Sequence, residues 1–155
     1  MDEKKVILKL IQDQAYQTND VLSSYILLHN KIIKNTSTLK SLFKKIDFEE
    51  PYNESKDLLT VCKKKQDELY TLRDTIFKKL NREEKAFISQ LITVAENISK
   101  AAELLVKRQR LHYLKSKGDR TGWKDFSELQ KKYKDAMQQC MKEKDRLNQL
   151  AQILF

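Results

Sequence analysis

The chain has 155 residues, 34% of them charged and 40% apolar, with a formal net charge of +9. That apolar fraction is too high for a disordered chain, and no run of about 18 apolar residues is present to cross a membrane. Two glycines and one proline exclude a β-rich fold of this size, which needs turn residues every ten positions or so. The expected class is all-α, as one helical-bundle domain over residues 1–155.

The start of the chain, Met1 to Leu10, has an apolar patch. Asp2 and Glu3 precede it and no small-residue cleavage site follows, so it reads as the first turns of a helix and not as a signal peptide. The first arm then runs over about 3–46. A three-four spacing passes through Leu8, Ile11, Ala15, Thr18, Leu22, Tyr25, His29, Ile32, Thr36, Leu39, Phe43 and Ile46, and nine of these twelve are apolar. Asn35-Thr-Ser-Thr38 interrupts it weakly, because these side chains compete with the backbone for hydrogen bonds.

The first strong breaker is Pro51, which cannot continue a helix. Asn53 or Ser55 can cap the helix that follows. The second arm, 55–116, carries Phe77, Leu80, Phe87, Leu91, Val94, Ile98, Ala101 and Leu105 on one stripe, interrupted at Glu84. Unbroken, it is roughly 90 Å long at 1.5 Å per residue. Asn81-Arg-Glu-Glu84 reads like a capping box and offers a break. Against a break, the stripe passes from Leu80 to Phe87 in phase with no Gly or Pro. The primary expectation is an elongated antiparallel bundle of three long helices. The alternative is a compact four-helix bundle with a break near Asn81.

The second turn is Lys117-Gly-Asp-Arg-Thr-Gly-Trp123. Gly118 suits the left-handed residue that ends a helix, and Thr121 or Asp125 can cap the next. The third arm, 124–155, repeats the pattern with Phe126, Leu129, Tyr133, Ala136, Cys140, Leu147, Leu150 and Leu154, interrupted by Glu143. Spacing near 3.5 favours coiled-coil-like packing at small crossing angles.

Groups suited to catalysis are few. His29 lies on the first stripe and His112 among basic residues. Neither belongs to an H-E-x-x-H zinc pattern or a Glu-x-x-His di-iron pattern. Cys62 and Cys140 have no Cys-x-x-Cys partner and read as small hydrophobes in a reduced, cytoplasmic setting. The two glycines are too few for a phosphate-cradling loop. The expectation is a non-enzyme without cofactor or metal.

Charge is more informative. Residues 1–62 hold nine Lys/Arg and nine Asp/Glu, leaving 22 of the 31 basic and 13 of the 22 acidic groups in residues 63–155. The whole excess therefore lies in the second and third arms. Its densest part is Lys107, Arg108, Arg110, Lys115, Lys117, Arg120 and Lys124, opposed only by Asp119; smaller clusters are Lys63–Lys65 and Lys131, Lys132 and Lys134. Tyr113, Trp123 and Phe126 lie nearby. Trp123 reads as an anchor that packs the turn onto the bundle.

A patch of this kind attracts an acidic protein face or, less well supported by any reading motif, nucleic acid or anionic membrane. The second candidate partner site is the apolar C-terminus, Leu147, Leu150, Ile153, Leu154 and Phe155, which carries no polar cap and can dock in its own bundle or on a partner. The functional expectation is a protein–protein interaction module (chaperone, adaptor or assembly subunit), with homo-oligomerisation open to the same stripes. The alternative is phosphate binding through residues 107–124.

Overall fold

A computed structural model describes residues 2–35, 46–120 and 122–155, with Asn35 and Trp123 described by their backbone alone. The elements are α1 (Glu3–Asn35), α2 (Glu49–Ile76), a 3-10 turn (Phe77–Lys79), α3 (Arg82–Ser116) and α4 (Trp123–Leu154). The protein is an all-α helical bundle. The Asn35–Thr38 interruption, the stripe positions Thr36, Leu39 and Phe43, the Thr121 cap and the packing of the Trp123 side chain fall outside the described residues.

The second arm is two helices, so the four-helix alternative is the arrangement observed. The break needs neither glycine nor proline. Leu80 (φ −90°, ψ 143°) and Asn81 (φ −76°, ψ −178°) are extended, a conformation open to any residue. Asn81 Oδ1 accepts the Glu84 backbone N–H at 2.9 Å, and Glu84 Oε2 accepts the Asn81 N–H at 2.9 Å. This reciprocal capping box restarts the helix after the reversal. Glu84, an interruption of the apolar stripe, is thus buried with both hydrogen bonds made.

The Pro51 turn also differs from expectation. α2 begins at Glu49, before the proline, and neither Asn53 nor Ser55 is its cap. Pro51 stands in the first turn, where its missing N–H has no helical acceptor in any case. The Asp47 carboxylate accepts the Glu49 N–H at 2.9 Å. At the other turn, Gly118 has φ +96°. Its N–H bonds to Lys115 O at 3.1 Å and the Asp119 N–H to Leu114 O at 3.0 Å, the paired bonds of a Schellman ending. α4 starts after Gly122 with no side-chain cap, so Asp125 does not fill that role.

Chain direction alternates. Lys31 reaches Glu54 at 2.7 Å, and Lys65 reaches Gln14 and Gln17, which sets α2 antiparallel to α1. Lys63–Glu103 and Tyr70–Glu96 do the same for α2 and α3, and Arg108–Gln130 and Gln90–Glu143 for α3 and α4. α3 is the central helix and packs on the other three. It buries the predicted stripe from Phe87 to Leu105 and a second one, Ile88, Ile92, Ala95, Ser99 and Ala102.

Two core clusters follow. One joins Leu22, Tyr25, Leu28 and Ile32 to Leu58, Cys62, Ile98, Leu105, Tyr133 and Cys140. The other joins Ile11 to Leu69, Ile76, Leu80, Phe87, Ile88 and Leu91.

Candidate functional site

α1 and α4 meet at one level, where the Tyr25 hydroxyl donates to the Tyr133 hydroxyl at 2.9 Å and Tyr133 Oη lies 2.6 Å from His29 Nδ1. Towards the N-terminus of α1 and the C-terminus of α4 the two helices stand apart. The space between them is a groove of about 360 Å³. Leu22, Phe87, Val94, Leu147 and Ala151 give it an apolar lining, with Gln12, Asn19, Lys144 and Asn148 as polar members. Tyr16 and Phe155, 63% and 53% exposed, stand among the lining residues on opposite sides.

Most of the predicted apolar C-terminus is therefore used within the chain. Leu147, Leu150 and Leu154 pack against the core cluster around Phe87. The Phe155 ring meets Phe87 edge-on at 5.5 Å between centroids. Ile153 faces outward, 71% exposed.

The predicted basic patch divides. Lys107, Arg110, Lys115, Lys117, Arg120 and Lys124 are exposed. None of these six is ion-paired with a carboxylate among the described residues. Arg108 does not belong with them: it is 9% exposed and turned into the bundle. There its Nε donates to Gln130 Oε1 at 2.6 Å and its Nη1 to Gln109 Oε1 at 2.8 Å. Arg108 lies one turn beyond Leu105 on the predicted apolar stripe itself, and its charge, counted with its basic neighbours, masked that position. The nearby aromatic rings are engaged as well. Tyr113 packs on Tyr52 at 5.6 Å, and Phe126 meets His112 edge-on at 4.8 Å.

The histidines and cysteines that the bundle covers are held towards their neutral forms. Burial, reinforced by the charges of Arg108 and Lys115, holds His112 at about 4, and its ring is stacked on Phe48 at 5.3 Å. Burial also lowers His29. It pushes the Cys62 thiol up to about 12 and the Cys140 thiol to about 11, far from an activated nucleophile. Among the described residues no three His, Cys, Asp or Glu side chains group as metal ligands, and no helix is long and apolar enough to cross a membrane.

Compared with known proteins, the chain matches no family model, no curated protein and no solved structure.

The α1 side of the groove was missed at the sequence level. Tyr16 lies off the apolar stripe and carried the only available signal, a large aromatic on the polar face of an amphipathic helix.

Proposed function

We propose that this protein is a non-catalytic protein–protein interaction module, an adaptor, chaperone or assembly subunit, that seats an apolar helix of its partner between α1 and α4. The observation that supports this is the groove itself. Helix-in-groove recognition uses apolar side chains spaced by about one turn along a hydrophobic trough. The trough here extends along α1 from Gln12 to Leu22, roughly 15 Å at 1.5 Å per residue, which matches about three turns of a docked helix.

Deleting residues 147–155 is a poor test, because Leu147, Leu150 and Leu154 are part of the core packing. Tyr16→Asp and Phe155→Asp are better, since both rings are largely exposed. The wild-type chain, immobilised and exposed to extract of its source cell, is expected to retain a protein that the double variant loses. Thermal melting of the two chains should agree within a few degrees. Equal capture by both would overturn the reading.

A second reading rests on the six exposed cations on the last turns of α3 and at the α3–α4 turn, none of them ion-paired with a carboxylate among the described residues. They would engage the phosphates of nucleic acid or of an anionic membrane, and the two readings separate by salt. Phosphate binding weakens steeply between about 50 and 200 mM salt, whereas a helix seated in an apolar groove is retained. Replacing Arg110, Lys115 and Lys117 with Glu should abolish phosphate binding and spare the groove.

A further inference from the structure

Arg108 is a buried cation whose hydrogen-bond partners are both neutral. Its Nε and Nη1 are met by the amide oxygens of Gln130 and Gln109. No carboxylate lies within ion-pair distance of it among the described residues. Burial disfavours its charged form. Burying a charge without an opposite charge is unfavourable, and native structures ordinarily pair such groups.

The neighbouring groups are donors. Gln109 is fully buried. Its Oε1 is committed to Arg108, which fixes the orientation of the amide, because a flipped amide would set N–H against N–H. Gln109 Nε2 then has no acceptor, and the second terminal nitrogen of Arg108, which makes no hydrogen bond within the chain among the described residues, reaches the surface. His112, one turn further along α3, buries a ring nitrogen that likewise lacks a hydrogen-bond partner. Arg108 also makes its charge felt at both His29 and His112, so the local field is positive. Gln130, which covers the guanidinium from α4, is itself exposed, as are Lys107, Arg110, Lys131 and Lys134 nearby in sequence. Such cations raise the local concentration of anions at the entrance.

We propose that Arg108 and Gln109, at the α3–α4 contact, form a binding site for a small carboxylate anion, entered from the surface at the Arg108 guanidinium. One carboxylate oxygen accepts from the free Arg108 terminal nitrogen and the other from Gln109 Nε2. The anion supplies the charge that this part of the bundle lacks and ties α3 to α4 beside the basic turn. This site is separate from the α1–α4 groove and does not depend on how the groove is used.

The test uses the full chain, labelled with ¹⁵N, and sodium formate as the probe. Formate is expected to shift the Arg108 Nε–H and Gln109 side-chain amide resonances saturably and to raise the melting temperature. Arg108→Met should remove both responses. Gln109→Leu should weaken formate binding by about tenfold, the loss of one hydrogen bond to a charged group, and it serves if Arg108→Met does not fold. Non-saturating shifts, or the same rise in melting temperature in wild type and either variant, would mean that water alone satisfies these donors, and the proposal would fall.

Discussion

Gln90 on α3 donates its side-chain amide to two acceptors of Glu143 on α4, the carboxylate at 2.7 Å and the backbone carbonyl at 2.9 Å. Gln139 and Arg146 add bonds to the other carboxylate oxygen, at 2.8 and 3.1 Å. The Gln90 hydrogen bond is the largest of the influences that hold this carboxyl below its ordinary value. The residue that interrupts the α4 stripe is therefore a polar clasp between two helices. Gln90→Leu should destabilise the chain by about 1–3 kcal/mol, because it leaves one oxygen of a covered carboxylate without its partner. Gln90→Leu with Glu143→Leu should recover most of that loss, since no unpaired polar group then remains. Urea denaturation of both variants checks this; an unchanged midpoint for Gln90→Leu would show that the clasp does not form.

The same clasp illustrates what was legible beforehand. Apolar spacing placed Leu22, Tyr25, Phe87, Leu91, Ile98, Leu105, Tyr133 and Cys140 on buried faces, and all are buried. It could not say that Glu84 and Glu143 are buried too, because a carboxylate becomes tolerable inside only through partners distant in sequence, or through a cap. Nor could one stripe reveal that α3 needs two. A central helix touches several neighbours, and its second stripe is built partly from Ala95, Ser99 and Ala102, which a search for large apolar residues passes over. Arg108 was misplaced for another reason: it continues the predicted stripe one turn beyond Leu105, but its charge grouped it with the exposed cations around it. The groove was illegible for a related reason: it is set by where α1 and α4 fail to meet, which no single helix encodes.

The Asn81 capping box makes a second prediction. It decides between one long helix and two, and it does so through two reciprocal hydrogen bonds rather than a glycine. Asn81→Ala should cost about 1 kcal/mol, the usual effect of losing an N-cap side chain. Glu84→Ala should be comparable or larger, because Glu84 is buried and its carboxylate also lies 4.0 Å from Lys4. The double variant should lose less than the sum of the two, since either change alone breaks the box. Chemical denaturation of the three variants gives the comparison, and strict additivity would show that the two residues act independently.

His112 predicts a pH dependence. The unfolded chain takes up a proton on this residue near its ordinary 6.5, whereas the folded chain does so only near 4. Between those values the unfolded state binds more protons, so stability falls as pH falls from about 6.5 to about 4 and levels off below. With allowance for incomplete burial, the loss is about 2 kcal/mol. His29, also held low, acts in the same direction. His112→Phe keeps an aromatic ring between Phe48 and Phe126 and removes the titration. Stability measured at intervals across this range should therefore fall less in the variant than in the wild type, by that amount. Parallel curves would show that His112 titrates normally in the folded chain.

The two cysteines give the last prediction, and it separates a packing role from a chemical one. Both thiols are buried and unpaired, and burial is the first cause of their raised pKa values. At pH 8 neither forms much thiolate, the species that reacts. Iodoacetamide should leave both unmodified in the native chain and alkylate both once urea unfolds it. Substitution sharpens the point. Cys62→Ala and Cys140→Ala keep an apolar surface and should be mild. Cys62→Ser and Cys140→Ser bury a hydroxyl among Leu58, Ile98 and their neighbours and should cost about 1–3 kcal/mol when that hydroxyl finds no partner. Rapid native alkylation of either residue, or serine variants as stable as the alanine ones, would instead indicate a polar, accessible thiol and reopen a catalytic role for it.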